Sequence, residues 1–88
     1  METLTLNNGT VLENSTAIET SGMLCIYTRN GYTLRDLCDA LFPPENISRI
    51  TAVFPGGTYV YKGYNHLVSL RDEGNYLVTA ILKKDGAE

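Results

Sequence analysis

A single short segment of this chain has the periodicity of a helix, and two consecutive prolines close it. Its apolar side chains recur at intervals of three and four residues, as on one helix face, and they are Leu34, Leu37, Cys38 and Leu41. Thr33 is placed to cap this helix, with Asp36 three residues later as in a capping box. Pro43-Pro44 cannot continue it, so we expect it to end near Phe42. A helix of about nine residues is marginal alone, and it must therefore gain its stability by packing on a sheet.

The rest of the chain has the alternation and the turn residues of β-strands. Asn8-Gly9 separates two short alternating segments and predicts a β-hairpin with a type I′ turn, in which both central residues have positive φ. Further extended segments are predicted at 17–20, 23–28, 47–54, 58–62, 66–71 and 76–83. Strands therefore precede and follow the one helix.

This order of elements predicts an α+β fold. One helix cannot cover both faces of a parallel sheet, and short turns favour hairpins, so the sheet should be mostly antiparallel. We expect a curved sheet, or a small partly open barrel, of about five to seven short strands with one short helix, in the order β-β-β-α-β-β-β. The chain has 88 residues, and we expect residues 1–88 to form a single domain with 84–88 as a frayed tail.

Charge and composition narrow the classes of partner. Ten acidic and seven basic residues give a net charge of −3. Phosphate backbones attract basic surfaces, so we expect no nucleic-acid partner. The sequence has no run of about 18 apolar residues that could span a membrane, and its N-terminus lacks the regions of a signal peptide. We expect no membrane partner, no secretion through a signal peptide, and free thiols at Cys25 and Cys38.

Residues suited to catalysis or metal binding are few and dispersed. His66 is the single histidine, and no recognisable spacing supplies it with a catalytic partner. Cys25, Cys38 and His66 lie on separate predicted elements, without the close spacing of zinc ligands. We therefore expect no catalytic residue, no metal site and no cofactor, and a protein that is not an enzyme.

The tyrosines give the sharpest indication of a functional surface. The chain has six tyrosines, two phenylalanines and no tryptophan, and Tyr59, Tyr61 and Tyr64 crowd one hairpin region. In one interpretation they pack across strands and complete a thin core. In the other they form an interaction face, since tyrosine is enriched at protein interfaces. If the chain acts by contact, we expect these three tyrosines at the interface, with Lys62 and Arg71 at its rim.

Three stretches also follow one another in a recognisable order: Leu4–Thr10 in the first hairpin, Asp39–Phe42 in the helix, and Tyr61–Tyr64 after it. In this order and spacing the chain resembles small proteins encoded among the tail and baseplate genes of bacteriophages and prophages of Gram-positive bacteria. The resemblance implies a structural or accessory role in the host cytoplasm or as a component of the virion. It supplies no functional residues.

Three functional hypotheses follow. The first is a non-enzymatic phage or prophage protein that acts by protein–protein contact or by self-association, as a homo-oligomer. The second is a small phage-encoded inhibitor that blocks the surface of a host defence protein. The third is an oligomer that binds a small ligand between its subunits.

Overall fold

The computed structural model describes residues 2–29 and 31–84 of the chain. Four strands precede the helix: β1 (Thr3–Thr5), β2 (Val11–Glu13), β3 (Ser15–Thr20) and β4 (Met23–Thr28). The helix α1 spans Leu34–Leu41, and a 3₁₀ helix follows at Pro44–Ile47. Four further strands complete the order: β5 (Arg49–Phe54), β6 (Gly57–Lys62), β7 (His66–Gly74) and β8 (Leu77–Lys83). Most of the predicted tail, residues 85–88, lies outside the described residues.

The eight strands of the described residues form two antiparallel sheets of four. The strand order is β2-β1-β5-β6 in the first sheet and β3-β4-β8-β7 in the second sheet. The predicted α+β class is therefore confirmed. The predicted number of five to seven strands and the predicted order are wrong, because four strands precede the helix in the chain and four follow it. The two sheets also replace the single curved sheet or partly open barrel that we expected. The chain leaves the first sheet at Asn14, a single residue between β2 and β3 whose φ of +50° turns it into the second sheet.

One hydrophobic core joins the two sheets and the helix. Every second residue of the central strands is buried in it, as the two-residue period of a strand requires. The first sheet contributes Leu4, Leu12, Ile50 and Ala52; the second sheet contributes Leu24, Ile26, Val78, Ala80 and Leu82. Full burial of one Leu or Ile side chain stabilises a fold by roughly 1.5–3 kcal/mol, so this shared core is the main reason that the two sheets stay together.

The helix begins as predicted but packs with fewer residues than predicted. The Thr33 hydroxyl accepts the Asp36 N–H at 3.1 Å, and the Asp36 carboxylate accepts the Thr33 N–H at 2.9 Å, which completes the capping box. Leu37 and Leu41 are fully buried. The predicted four-residue stripe is wrong at two positions, because Leu34 is 41% exposed and Cys38 is also exposed.

The first hairpin forms, but with a different turn from the predicted one. The Leu6 N–H donates to the Thr10 carbonyl at 2.8 Å, so three residues rather than two make the loop. Gly9 has a φ of +90°, whereas Asn8 stays outside the positive-φ region. A type I′ turn needs positive φ at both positions, so that part of the prediction is wrong. Asn8 instead accepts the Thr10 N–H with its side-chain oxygen at 3.0 Å.

Candidate functional site: the free edge of β6

The tyrosine-rich hairpin predicted from the sequence is formed by β5 and β6. Six consecutive residue pairs join the two strands, from Phe54 with Gly57 at the turn to Arg49 with Lys62 at the far end. Strand β6 is the last strand of the first sheet. Its four central residues, Thr58-Tyr59-Val60-Tyr61, are all β-branched or aromatic, which suits an extended strand.

The two faces of β6 differ in chemistry. Tyr59 lies opposite Ala52, and Tyr61 lies opposite Ile50. Both partners are fully buried, so the two tyrosines are on the core side of the sheet. The side chains of the alternate residues share the outer face; these residues are Thr58, Val60 and Lys62.

Two aromatic pairs line the core side of this hairpin. The rings of Phe54 and Tyr59 are 5.7 Å apart with an interplanar angle of 56°. Those of Tyr61 and Tyr64 are 6.5 Å apart and nearly perpendicular, at 78°. Such tilted and edge-to-face pairs stabilise by about 0.5–1.5 kcal/mol beyond the area that they bury. The pairs hold the aromatic rings in place, yet 56% of Tyr59 stays exposed.

Tyr64 has a structural environment quite unlike that of Tyr59. It is only 2% exposed and belongs to the core. Its hydroxyl donates a hydrogen bond to the Glu19 carboxylate, and the ammonium group of Lys84 lies 5.8 Å from its ring centroid. Burial, and then this hydrogen bond, raise the pKa of the Tyr64 phenol to about 12. Tyr64 therefore fastens the segment after β6 to β3 of the second sheet.

Tyr61 is intermediate between these two tyrosines. It is half-buried, and its ring contacts Tyr64. Burial, followed by the negative charge of Glu19, raises the pKa of the Tyr61 phenol. Tyr61 therefore stays protonated and neutral at the pH of a cell, as does Tyr64.

The structure does not bring the two predicted rim residues together. Lys62 is exposed at the end of β6, beside its cross-strand partner Arg49. Arg71 lies on β7 in the second sheet, opposite Thr79. It forms an ion pair there, with its Nε 3.7 Å from the Glu73 carboxylate. The predicted residue set thus divides into an exposed strand edge, a buried tyrosine and a charge on the other sheet.

Several residues of this region escaped the sequence analysis. Glu19 and Lys84 contact Tyr64 from 45 and 20 positions away, and only the tertiary fold brings them there. Val60 is 44% exposed in the middle of β6. The alternation of the Thr58–Lys62 segment does place Val60 on the face opposite to the tyrosines, but it does not show that Val60 is exposed there.

On one side of β6, the backbone groups have no neighbouring strand among the residues that the structure describes. Just after β6, the Gly63 N–H donates to the Ser48 carbonyl at 3.1 Å, on the side of β5. Because successive residues of a strand direct their backbone groups to opposite sides, Tyr61 and Tyr59 face β5 in the same way. The N–H and C=O groups of Thr58, Val60 and Lys62 therefore point away from β5. We call residues 58–62, with this row of outward-facing backbone groups, the β6 edge.

A second surface feature lies at the β7–β8 turn, on the other sheet. An open depression of about 640 Å³ is lined by Arg29, Gly31 and residues 75–77. Tyr76 is 79% exposed there with a φ of +63°, an uncommon conformation for a bulky residue. The sequence predicts an extended segment over 76–83, but Tyr76 lies in the turn before β8, which begins at Leu77.

Residues 2–29 and 31–84 contain no group of three or more His, Cys, Asp or Glu side chains placed to hold a metal ion. His66 is exposed on β7, opposite Lys83. Cys25 and Cys38 are free thiols, as predicted. No helix in the described part of the chain is both long and apolar enough to cross a membrane.

Comparisons of the chain with protein-family models, with curated proteins and with solved structures find no match. The functional assignment is therefore argued from the residues themselves. Among them, the β6 edge combines an exposed tyrosine, an exposed valine and a row of outward-facing backbone groups.

Proposed function

We propose that this chain is a non-enzymatic structural or accessory protein of a bacteriophage or prophage, and that it acts by protein–protein contact or self-association at the β6 edge. The observation that carries the proposal is the exposure of Tyr59 and Val60, 56% and 44%, on a strand with outward-facing backbone groups. The order of the Leu4–Thr10, Asp39–Phe42 and Tyr61–Tyr64 stretches supports the phage assignment.

Addition of a strand is the mode of contact that suits this edge. In that mode a partner strand receives main-chain hydrogen bonds from the edge, and side chains on both faces provide specificity. On the core side the partner meets Tyr59, whose ring is already held against Phe54 at 5.7 Å. A ring held in this way loses little conformational freedom on binding, which favours its use as an anchor. On the outer face the partner meets Val60 and Lys62.

The proposal is tested by binding to the virion proteins encoded beside this chain. Purified chain and each candidate tail or baseplate protein would be measured by surface-based binding kinetics. We expect a complex that Val60→Asp weakens at least tenfold, because the substitution places a charge at the centre of the edge. Val11→Asp is the matched control: Val11 is 49% exposed on β2, at the opposite end of the same sheet.

Two results would contradict the proposal. If no virion protein binds, the assignment to a tail or baseplate role fails. If binding occurs but Val11→Asp weakens it as much as Val60→Asp does, the contact is elsewhere on the molecule. A complex with a host defence enzyme in place of a virion protein would support the inhibitor hypothesis instead.

A further inference from the structure

We infer that the partner of the β6 edge is a second copy of this chain, paired antiparallel about a two-fold axis that passes beside Val60. The inference rests on the proposed function and deepens it: two copies joined at this edge are the form that contacts a virion protein, and Val60→Asp weakens that contact because it separates the copies. It depends on three features: the contrast with the other edge strands, the direction of the backbone groups, and the side chains that a two-fold axis brings together.

The other three edge strands each carry a feature that opposes strand pairing. Strand β7 has register shifts at Leu67/Ser69 and Asp72/Gly74, which bend an edge away from a flat neighbour. Strand β2 has only three residues. Strand β3 directs the charge of Glu19 toward the core side, opposite the buried Leu24. Short length, bulges and inward charges are the usual means of blocking edge-to-edge association.

Strand β6 has an unbroken register over six pairs, and its core-side residues are neutral tyrosines. Lys62, at one end of β6, is the one protective charge that this strand carries. Long, regular edges with β-branched and aromatic residues pair readily with a further strand. Burial against a second copy is therefore a physical solution that keeps this edge from open-ended association, because a two-fold contact closes on itself.

The direction of the backbone groups selects one register. In this register Val60 lies opposite the partner's Val60, and all three outward-facing residues of each copy enter hydrogen-bonded pairs. Thr58 of each copy pairs with Lys62 of the other copy, so the pairing has three residue pairs in all. This arrangement forms about six hydrogen bonds. If the register shifts by two residues in either direction, only about four hydrogen bonds remain, because one residue of each copy then faces the partner's turn or the segment beyond its Lys62.

The side chains agree with that register. On the core side, Tyr59 of each copy lies opposite Tyr61 of the other copy. These are non-hydrogen-bonded antiparallel pairs, in which the side chains are closer together, and aromatic pairs of this kind stabilise sheets. On the outer face the two Val60 side chains meet at the axis. Each Lys62 lies opposite a threonine and not opposite the partner's Lys62, so like charges are kept apart.

The outer face also becomes continuous across the axis. Val60 is in register with Thr51, Thr51 with Thr5, and Thr5 with Val11. Pairing at Val60 repeats this row in reverse in the second copy. The result is one sheet with four strands from each copy and a central row made only of valine and threonine, both strong β-formers.

Sedimentation velocity over a range of concentrations tests the oligomeric state. We expect the unmodified chain to dimerise and Val60→Pro to remain monomeric wherever the unmodified chain dimerises. Proline is tolerated in an edge strand where the N–H faces solvent, so the folded monomer should persist. Val11→Pro is the matched control, because Leu6 bonds to Thr10 and places the Val11 N–H on the outer side of β2 in the same way. It should dimerise like the unmodified chain.

Disulfide trapping tests the register. In a background with Cys25→Ser and Cys38→Ser, Val60→Cys should give a disulfide-linked dimer under mild oxidation, since facing Cα atoms in a hydrogen-bonded pair lie about 5.5 Å apart. Thr58→Cys should not, because it faces the partner's Lys62. Efficient trapping of Thr58→Cys, or a dimer that survives Val60→Pro, would overturn the inference.

A chain that stays monomeric at millimolar concentration also overturns it. That result is distinguishable from failure of the proposed function, because binding to a virion protein is measured separately. A monomer that still binds such a protein through Val60 would contradict the second copy alone. A monomer that binds no virion protein would contradict both.

Discussion

The edge strands β6 and β7 belong to different sheets and manage their exposed sides in different ways. Strand β7 is the longer, at nine residues, but its pairing with β8 shifts register twice, and its second half is Arg71-Asp72-Glu73. Strand β6 has six residues in unbroken register, with alternating tyrosines. Charges and register shifts thus interrupt the edge of β7, whereas β6 keeps an unbroken register and carries one charge, at Lys62. Length alone does not make a strand available to a partner; regularity and side-chain chemistry do.

The difference between the paired and the free side of β6 is tested most strongly by proline at two adjacent positions, whose N–H groups face opposite sides of the strand. Tyr61→Pro should lower the free energy of unfolding by about 3 kcal/mol or more, because it removes a ladder hydrogen bond to β5 and replaces a half-buried aromatic side chain. Val60→Pro should cost much less. Urea denaturation of the two variants at a concentration where the chain is monomeric measures both values. Equal losses would show that the β6 edge does not face outward as described.

The hydrogen bond between Tyr64 and the Glu19 carboxylate on β3 should make a smaller contribution to the free energy of unfolding. Tyr64→Phe removes the hydroxyl that donates to Glu19 and should destabilise the chain by about 1.5 kcal/mol, the usual scale for a hydrogen bond to a charged group. Tyr59→Phe is the control, and it should change stability by less than about 0.5 kcal/mol because Tyr59 is 56% exposed. Thermal or urea unfolding of both variants measures the difference. A larger effect at Tyr59 would contradict the roles given to these residues.

The same contact predicts a loss of stability in alkali. The pKa of Tyr64 is about 12 in the folded chain against 10 for an ordinary tyrosine, so the folded state holds this proton more tightly. Its contribution is complete below pH 10 and is lost as the pH rises from about 10 to about 12. Stability measured across this range should fall more steeply for the unmodified chain than for Tyr64→Phe. Parallel curves would mean that Tyr64 does not titrate differently in the folded state.

A smaller effect tests whether Thr58 lies opposite the partner's Lys62 at the β6 edge. Thr58→Glu places a carboxylate opposite the partner's Lys62 at two symmetric positions. Opposite-charge cross-strand pairs stabilise by about 0.2–1 kcal/mol each, so the dimer dissociation constant should fall by roughly two- to thirtyfold. Thr58→Gln is the uncharged control. The gain should disappear at high salt, which screens exposed charges; a salt-independent gain would argue against this pair.

The helix and the hairpins show how much of this fold could be predicted from sequence. The Thr33–Asp36 capping box and the proline stop act within a few residues, and they were predicted correctly. The start of β5 was placed at Ile47, two residues early, because Pro44–Ile47 forms a 3₁₀ helix with the same apolar residue buried. The sequence reveals that Ile47 is buried, but not which local geometry buries it.

The candidate site was predicted less completely. Alternation correctly grouped Tyr59 and Tyr61 on one face, but it could not separate exposed Tyr59 from buried Tyr64. Tyr64 is buried in the core that residues of both sheets form, and it bonds to Glu19 from 45 positions away in the sequence. Arg71 was assigned to the same surface because it is near in sequence, whereas the chain passes to the other sheet between β6 and β7.

Local sequence signals were enough to predict a capped helix that ends before the two prolines, hairpins at polar turns, and strands with two unlike faces. These depend on hydrogen bonds and backbone preferences within a few residues. Tertiary structure decided which strands pair, that they form two sheets, and which edge remains free. Those outcomes depend on contacts between residues far apart, such as β1 with β5 and β4 with β8. Alternation fixes the faces of a strand but is the same for many possible neighbours.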